Sequence, residues 1–285
     1  MKKTGLTAYQ IKLIALCAMT LDHLAACASE IPVISKYSYF LRIIGRIAAP
    51  LFLFALTESI YYTHNRTKFI LRLYFAAVGV GLFTTVTNYF FWSSIGRFTL
   101  KSNILFTYFY IALYVTLIEQ LKLTVKNKDV KGSIIYTLAM VSTILPNYIS
   151  DFLNHEIFTT ELAWDLTRSF IRGPLQVEYS ILFVIMGVLM YYAPNKYLKA
   201  AILAISSIVC YYSDHSESFL QILLKISPDP YFANPQFWMI LAVPFILLYN
   251  GERGKEHKRF FYVYYPIHRY LIAVIEFLYL TSQPK

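Results

Sequence analysis

Long apolar runs alternate with short polar turns along the chain. A helix needs about 20 mostly apolar residues to cross a membrane, and about nine runs reach or approach that length. They cover residues 8–28, 38–62, 69–92, 103–121, 132–150, 175–193, 197–212, 235–250 and 259–281. The pattern predicts an all-α fold, a polytopic helical bundle of about nine (eight to ten) transmembrane helices in one domain.

Two segments depart from this pattern. Residues 160–172, TELAWDLTRSFIR, are amphipathic, which predicts an interfacial or re-entrant helix. Residues 213–234 are interrupted by proline and are not predicted to span the bilayer. Nine spans place the C-terminus outside, and one further span within 213–234 would reverse that side.

Composition supports a membrane location. The 285 residues are 57% hydrophobic and only 15% charged, whereas a soluble domain carries about 25% charged residues. The mean hydropathy is +0.49. Aromatic residues make up 18% of the chain, and tyrosine (25) outnumbers phenylalanine (22). Amphipathic rings favour lipid–water interfaces, so the chain is predicted to be an integral membrane protein that contacts the lipid bilayer.

The positive charge follows a topology pattern. A net charge of +10 could indicate a nucleic-acid partner, but lysine and arginine lie mainly in the turns. The basic turns cover residues 64–72, 122–131, 195–199 and 252–259. Alternation puts them on the side of the N-terminus, which the positive-inside rule assigns to the cytoplasm. We therefore predict a multi-pass protein of the cell (cytoplasmic) membrane with no nucleic-acid partner, although Arg97 and Lys101 fall on the other side.

The N-terminal run has a second interpretation. Lys2, Lys3, an apolar run and the letters LAAC at residues 24–27 resemble a lipoprotein signal or a cleavable secretion signal. However, Asp22 and His23 directly before such a site are unusual for a signal. A retained first span is therefore the favoured interpretation.

Two polar residues lie side by side in that first span. An ionisable group in a membrane costs about 2.5–3.5 kcal/mol, so Asp22 and His23 are functional candidates. Neighbours on a helix project about 100° apart, so the two side chains cannot face one point. One is expected to face a reaction site while the other holds structure with a different helix. His23 is the candidate general base, and a buried, hydrogen-bonded histidine is the alternative.

The second run carries two arginines. Arg42 and Arg46 are four residues apart and share a helix face. Gly45 between them allows close approach of a neighbouring helix. Two inward-facing guanidinium groups would bind a phosphate or carboxylate. Alternatively, Arg42 extends along the helix towards the interface.

Glu58 and Glu178 are the acidic residues of later spans. Glu58 lies shortly before a basic turn, which favours pairing with Arg66 or Arg72. Glu178 is expected to neutralise an arginine that the sequence does not identify.

A histidine lies in the last run directly after a proline. Pro266 removes a backbone donor and loosens the helix just before His268. His268 is therefore a candidate for binding a ligand or substrate.

Several common site motifs are absent from the sequence. It contains no GxGxxG, GxxxxGK[ST], HExxH or GxSxG pattern. The three cysteines lack CxxC spacing, so neither a disulfide framework nor a metal site is predicted. A nucleotide-type donor would have to be held by basic turns, chiefly 63–72 and 250–259, and by helix ends. Membrane topology alone also explains those basic turns.

Five segments in combination resemble the TraX family of membrane acetyltransferases, whose named activity is N-terminal acetylation of conjugative pilin. They are MTLDHLA (19–25), LRIIGRIAAPLFLFALTESIYYTHNRTKFILRLY (41–74), NILFTY (103–108), QVEYSILFVIMGVLMYY (176–192) and NGERGKEHKRFFYVYYPIHRYLI (250–272). The resemblance extends over essentially the whole chain and is weakest at 123–170. Acceptor binding in that region would make acceptor identity the property that the resemblance defines least.

The resemblance implies a single transmembrane acetyltransferase domain over residues 1–285, with acetyl-CoA as co-substrate and no metal. The TraX family resembles the wider group of multi-span acyltransferases, which use acyl-CoA and a histidine on a helix. The implied catalytic residues are Asp22 and His23. The residues implied to bind acetyl-CoA are Arg46, His64, Arg66, Asn250 and Arg253. The residues assigned to substrate binding are Arg42, Glu178, Tyr265 and His268.

The expected reaction transfers an acetyl group from cytoplasmic acetyl-CoA to an amine, such as a pilin-like N-terminus, at the membrane or its outer face. His23 would take the proton as the amine attacks the thioester, with Arg46 or a helix end stabilising the oxyanion. Two alternatives stay open: O-acetylation of a cell-envelope glycan or lipid, and a small-molecule transporter whose charges line a path. Transporters often contain internal repeats, and none is evident in this sequence.

Overall fold

The computed structural model describes residues 4–28, 31–95, 103–157, 160–215, 235–255 and 258–282. These residues are almost entirely helical, and the only β contact among them is an isolated bridge between Leu6 and Tyr249. The all-α prediction is therefore confirmed.

Twelve α-helices are described, together with one π-helical turn and one 3-10 helix. The first six are α1 Ala8–Cys27, α2 Pro32–Gly45, α3 Ala48–Tyr61, α4 Arg66–Ile95, α5 Ile104–Lys126 and α6 Val130–Ser142. The others are α7 Leu145–Phe152, α8 Glu161–Phe170, α9 Ser180–Tyr192, α10 Lys196–His215, α11 Val243–Leu247 and α12 Lys258–Ser282. A π-helical turn, Leu153–Ile157, follows α7, and a 3-10 helix, Pro235–Ala242, precedes α11.

Four stretches of the residues that the structure describes are long and apolar enough to cross a membrane. They are Pro32–Tyr61, Arg66–Tyr89, Ile104–Lys126 and Val130–Ile157. Shorter apolar helices cover Ser180–Tyr192 and Gln236–Leu247. These helices indicate an integral membrane protein, whereas the count of about nine spans stays a prediction. Residues 216–234, Arg97 and Lys101 lie outside the described residues.

Two predicted spans contain breaks. The run predicted as one helix over 38–62 begins at Pro32 and is interrupted between Gly45 and Ala48. The run at 132–150 is interrupted before Leu145, because Pro146 cannot continue the hydrogen-bond ladder of a preceding helix.

The chain divides into two compact units. The first combines Met1–Glu58 with Tyr192–Lys285, and the second is Ser59–Tyr191. In the first unit, α1 packs on α2 and α12, while α10 packs on α11 and on the 3-10 helix. In the second, α4 packs on α5 and α8, and α5 also packs on α6. The single acetyltransferase domain stays a prediction, because compact packing and functional domains are different properties.

The N-terminus of α1 is capped twice. Thr7 and Gln10 form a capping box, in which the N–H of Gln10 donates to Oγ1 of Thr7 at 3.3 Å. The N–H groups of Ala8 and Tyr9, the first two residues of α1, donate to the carbonyls of Glu252 and Arg253 at 2.9 and 3.1 Å. The basic loop around 250–254 therefore lies against the start of α1. The cytoplasmic placement of both segments stays a prediction.

Gly45 lies where α2 approaches α1 closely. A β-carbon added at position 45 would lie 2.9 Å from the backbone Cα of Asp22, well inside van der Waals contact. The predicted role of Gly45 in helix approach is confirmed.

Gly45→Ala is therefore expected to destabilise the protein by about 1–3 kcal/mol, because the backbone must shift to admit the methyl group. The measurement is the thermal unfolding midpoint in detergent. The matched control is Gly79→Ala on α4, where an added β-carbon meets nothing within 4 Å and helix propensity favours alanine by about 1 kcal/mol. Equal shifts of the midpoint in the two variants would contradict the close approach.

The second unit contains the predicted amphipathic helix. Residues Glu161–Phe170 form α8, whose Thr167 and Ser169 are buried, and Oγ of Ser169 lies 3.2 Å from the hydroxyl of Thr85 on α4. The helical structure of this segment is confirmed. Its interfacial or re-entrant placement stays a prediction.

Asn154, in the π-helical turn, is a buried polar side chain. It is 3% exposed, and neither its Oδ1 nor its Nδ2 atom has a hydrogen-bond partner among the described residues. A buried polar group without a partner costs about 1–3 kcal/mol. Asn154→Leu is therefore expected to raise the thermal midpoint of the protein, because leucine removes that penalty at similar volume.

Asn147→Leu is the matched control. Its Oδ1 accepts the backbone N–H of Leu175 at 3.1 Å, so the same substitution there should lower the midpoint. A loss of stability in Asn154→Leu would show that the Asn154 amide contributes bonds of its own.

Candidate active site

A pair of histidines joins the first and last described helices. Nδ1 of His23 on α1 lies 2.6 Å from Nε2 of His268 on α12. The ring planes are inclined by 12° and their centroids are 4.9 Å apart. With so short a nitrogen contact, that spacing fits two nearly coplanar rings meeting edge to edge. His268 is buried and His23 is half-buried, so the bond is shielded from bulk water.

The hydrogen bonds of this pair fix its tautomer. Nδ1 of His268 lies 2.8 Å from the carbonyl oxygen of Tyr264. A carbonyl only accepts, so Nδ1 of His268 carries the proton and Nε2, in the neutral ring, carries the lone pair. Nδ1–H of His23 then donates to that lone pair. In the neutral pair the remaining lone pair therefore lies on Nε2 of His23.

Asp22 forms a separate ion pair. Nη2 of Arg46 donates to Oδ1 of Asp22 at 2.5 Å, and Nη1 donates to Oε1 of Gln236 at 3.2 Å. Asp22 and Arg46 are only 8% and 7% exposed, so both charges are removed from water and neutralise each other. Arg46 directly follows α2, at the turn after Gly45. The prediction that Asp22 and His23 do not face one point is confirmed, whereas the reaction site assigned to one of them stays a prediction.

A second, half-buried ion pair lies in the same unit. Nζ of Lys199 on α10 donates to Oε1 of Glu58 at 2.5 Å, and the hydroxyl of Tyr249 donates to Oε2 at 3.3 Å. The predicted pairing of Glu58 with Arg66 or Arg72 is therefore wrong. Helix packing explains the difference. Glu58 faces α10, and this contact brings Lys199, which is distant in sequence, within hydrogen-bonding distance of its carboxylate.

The comparisons with known proteins identify the family. The model of the TraX family, described as TraX protein, matches residues 7–276. This chain belongs to the TraX family. The family resemblance of the five sequence segments is thereby confirmed.

A relative of this TraX chain is named probable fimbrial assembly protein FimC, serogroup H1, of Dichelobacter nodosus. The two are 26% identical over 281 residues, which cover 94% of each chain. No solved structure matches the chain.

The remaining predicted residues of the first unit lie at different depths. Asn250 helps to shape its own loop, since its Oδ1 accepts the N–H of Glu252 at 2.8 Å. Arg253 is exposed on that loop, and Arg42 is half-buried on α2. The Tyr265 ring is 6.1 Å from that of His268. Their roles in binding acetyl-CoA or an acceptor stay predictions.

Three predicted residues belong to the second unit of this TraX protein. His64 is exposed just before α4. Arg66 donates to the hydroxyl of Tyr191 at 3.0 Å and lies 3.6 Å from a carboxylate oxygen of Glu119. The backbone carbonyl of Glu178 accepts the hydroxyl of Thr107 at 2.9 Å. Their roles in acetyl-CoA or acceptor binding likewise stay predictions.

Sequence reasoning missed Tyr264 and Gln236. Tyr264 precedes His268 by one helical turn, so helical spacing alone could have marked it as a neighbour. Gln236 bonds to Arg46 across a sequence separation of 190, and no local pattern points to that contact.

Proposed function

We propose that this TraX protein is a membrane-bound acetyltransferase that moves an acetyl group from acetyl-CoA to an amine. The proposed acceptor is the N-terminus of a pilin-like polypeptide. The observation that carries the proposal is the histidine pair, which leaves a lone pair on Nε2 of His23 inside an apolar helical unit. The family's named activity and the fimbrial relative favour a pilus-type acceptor.

His23 acts as the general base in the proposed reaction. The amine nitrogen attacks the thioester carbonyl, a C–N bond forms, and Nε2 of His23 takes the proton from nitrogen. The C–S bond then breaks, and the protonated His23 returns that proton to the departing thiolate. The products are an N-acetyl amide and CoA with a free thiol, and the enzyme ends in its starting protonation state.

The Asp22–Arg46 pair is assigned a supporting role. The Nη groups of Arg46 already donate to Asp22 and to Gln236, so we assign Arg46 to holding α1 in place. A neutralised pair beside His23 also leaves little net charge next to the base.

The phosphates of acetyl-CoA require cationic side chains. The first N–H groups of α1 already bond to carbonyls of the 250–254 loop, so binding would fall to side chains rather than to that helix end. Arg253 and Lys255 are exposed on and beside this loop and are proposed to contact the phosphates.

The proposed topology brings the donor to the same loop. We place the N-terminus in the cytoplasm of a multi-pass protein of about nine spans in the cytoplasmic membrane. His23 lies about 22 Å along α1 from Ala8, at 1.5 Å of helical rise per residue. The acetyl group would thus reach His23 in the outer half of a hydrocarbon core about 30 Å thick.

The test is acetyl transfer by the full chain in lipid vesicles. Radiolabelled acetyl-CoA is supplied with a peptide that has a free N-terminal amine, and the control is the same peptide with a blocked N-terminus. Label is expected only on the unblocked peptide. Label transferred instead to an envelope glycan or lipid fraction added to the same vesicles would change the acceptor class. No labelled product and no binding of acetyl-CoA would overturn the proposal.

A further inference from the structure

We infer that His268 is a positioning residue that selects the reactive tautomer of His23. The inference rests on the proposed function, because it concerns how His23 serves as base. His268 would act through His23 and would not touch the acetyl donor or acceptor. This role differs from the substrate-binding role predicted from the sequence.

The selection starts at a backbone carbonyl. The Tyr264 carbonyl holds the proton of His268 on Nδ1, and a main-chain acceptor in a helix cannot turn away as a side chain can. Nε2 of His268 must then accept, which fixes the proton of neutral His23 on Nδ1. Without this partner, neutral imidazole distributes its proton over both nitrogens. The tautomer with the proton on Nε2 cannot accept a proton there from the attacking amine.

The position of Tyr264 is itself fixed against α1. The Thr20 hydroxyl donates its single proton to the Leu16 carbonyl at 2.9 Å. The Tyr264 hydroxyl, 2.7 Å from Oγ1 of Thr20, must therefore be the donor in that contact. Thr20 lies almost one turn before His23, so the contact that aligns α12 is next to the residue being aligned.

Ring packing adds to this alignment. The rings of Tyr264 and His268 are nearly parallel, at 8°, with centroids 5.0 Å apart. His268 is thus held by a ring contact and by hydrogen bonds at both nitrogens, which restricts its rotation. A residue that only filled space would not need both nitrogens bonded in a defined order.

Two variants at position 268 separate positioning from packing. In His268→Gln, the side-chain carbonyl oxygen can still accept Nδ1–H of His23, whereas His268→Leu fills similar space without an acceptor. We expect His268→Leu to lower kcat by about 10–100-fold, as for hydrogen-bond partners that orient histidines at metal sites. The KM for acetyl-CoA should stay unchanged, and His268→Gln should be roughly tenfold more active than His268→Leu.

The second readout is independent of activity. ¹⁵N NMR of the histidine-labelled full chain reports which ring nitrogen carries the proton, and the His23 signals are those lost in His23→Ala. In the wild type and in His268→Gln, His23 should show a protonated Nδ1 and an unprotonated Nε2. In His268→Leu, it should show a mixture of tautomers.

The outcomes distinguish the two proposals. If the wild-type chain transfers no acetyl group, the proposed function is wrong. The NMR comparison still tests whether His268 selects the tautomer of His23. An unchanged His23 tautomer in His268→Leu overturns the inference. Two activity results also overturn the inference, provided that the His23→Ala variant is inactive. One is equal activity of His268→Leu and His268→Gln, and the other is wild-type activity in His268→Leu.

Discussion

His23→Ala is expected to reduce acetyl transfer by about 10²–10⁴-fold, the usual contribution of a general base. Alanine removes Nε2 of His23, the nitrogen that carries the lone pair in the neutral histidine pair. His268 cannot substitute, because its Nδ1 donates to the Tyr264 carbonyl and its Nε2 bonds to Nδ1 of His23. The measurement is turnover of labelled acetyl-CoA by the purified full chain at matched protein content.

The control for this substitution is His155→Ala. His155 is exposed on the π-helical turn of the second unit, and its ring lies 6.0 Å from that of Trp164. His155→Ala removes the same imidazole group at a position with no proposed role. Turnover should therefore stay within twofold of the wild type, which corresponds to a surface effect of roughly 0.5 kcal/mol. Equal turnover in the His23 and His155 variants would remove His23 from the mechanism.

The second large effect is expected at the Asp22–Arg46 pair. Asp22→Asn or Arg46→Met should each destabilise the protein by about 3–5 kcal/mol, because each leaves one buried charge without its partner. The double variant should regain most of that loss, since both charges are then removed. Unfolding in detergent, followed by the thermal midpoint, measures all three variants.

Glu156→Gln provides the control for charge removal by itself. Glu156 is exposed on the π-helical turn, and its substitution should change stability by no more than about 0.5 kcal/mol. Additive losses in the double variant Asp22→Asn/Arg46→Met would contradict the pairing. A gain relative to either single variant would measure the coupling between the two side chains.

Local rules predicted much of the fold. Helical spans could be identified because lipid requires long apolar segments with internally bonded backbones, and the run at 103–121 corresponds closely to α5, Ile104–Lys126. The different partners of Asp22 and His23 followed from helical rotation alone. The interruption between Gly45 and Ala48 was not predicted, because long apolar stretches lie on both sides of Arg46 and Ile47.

Long-range contacts in the site could not be predicted in the same way. Glu58 was assigned to a nearby basic turn because proximity in sequence is the only guide before helices are packed. Its partner Lys199 lies 141 residues away. His23 and His268 were each identified as polar residues in apolar runs, but their separation of 245 residues hides the bond between them. The proton order within the pair depends on that bond.

The sequence distances of the two pairs have a consequence for biogenesis. Asp22 meets Arg46 across 24 residues, whereas His23 meets His268 across 245. N-terminal segments leave the ribosome first, and an unpaired charge in lipid costs about 2.5–3.5 kcal/mol. The aspartate can therefore be neutralised as soon as the second helix inserts, while the histidine can wait uncharged for the last one. A nascent or C-terminally truncated chain is therefore expected to hold the Asp22–Arg46 pair before the histidine pair of the proposed site can form.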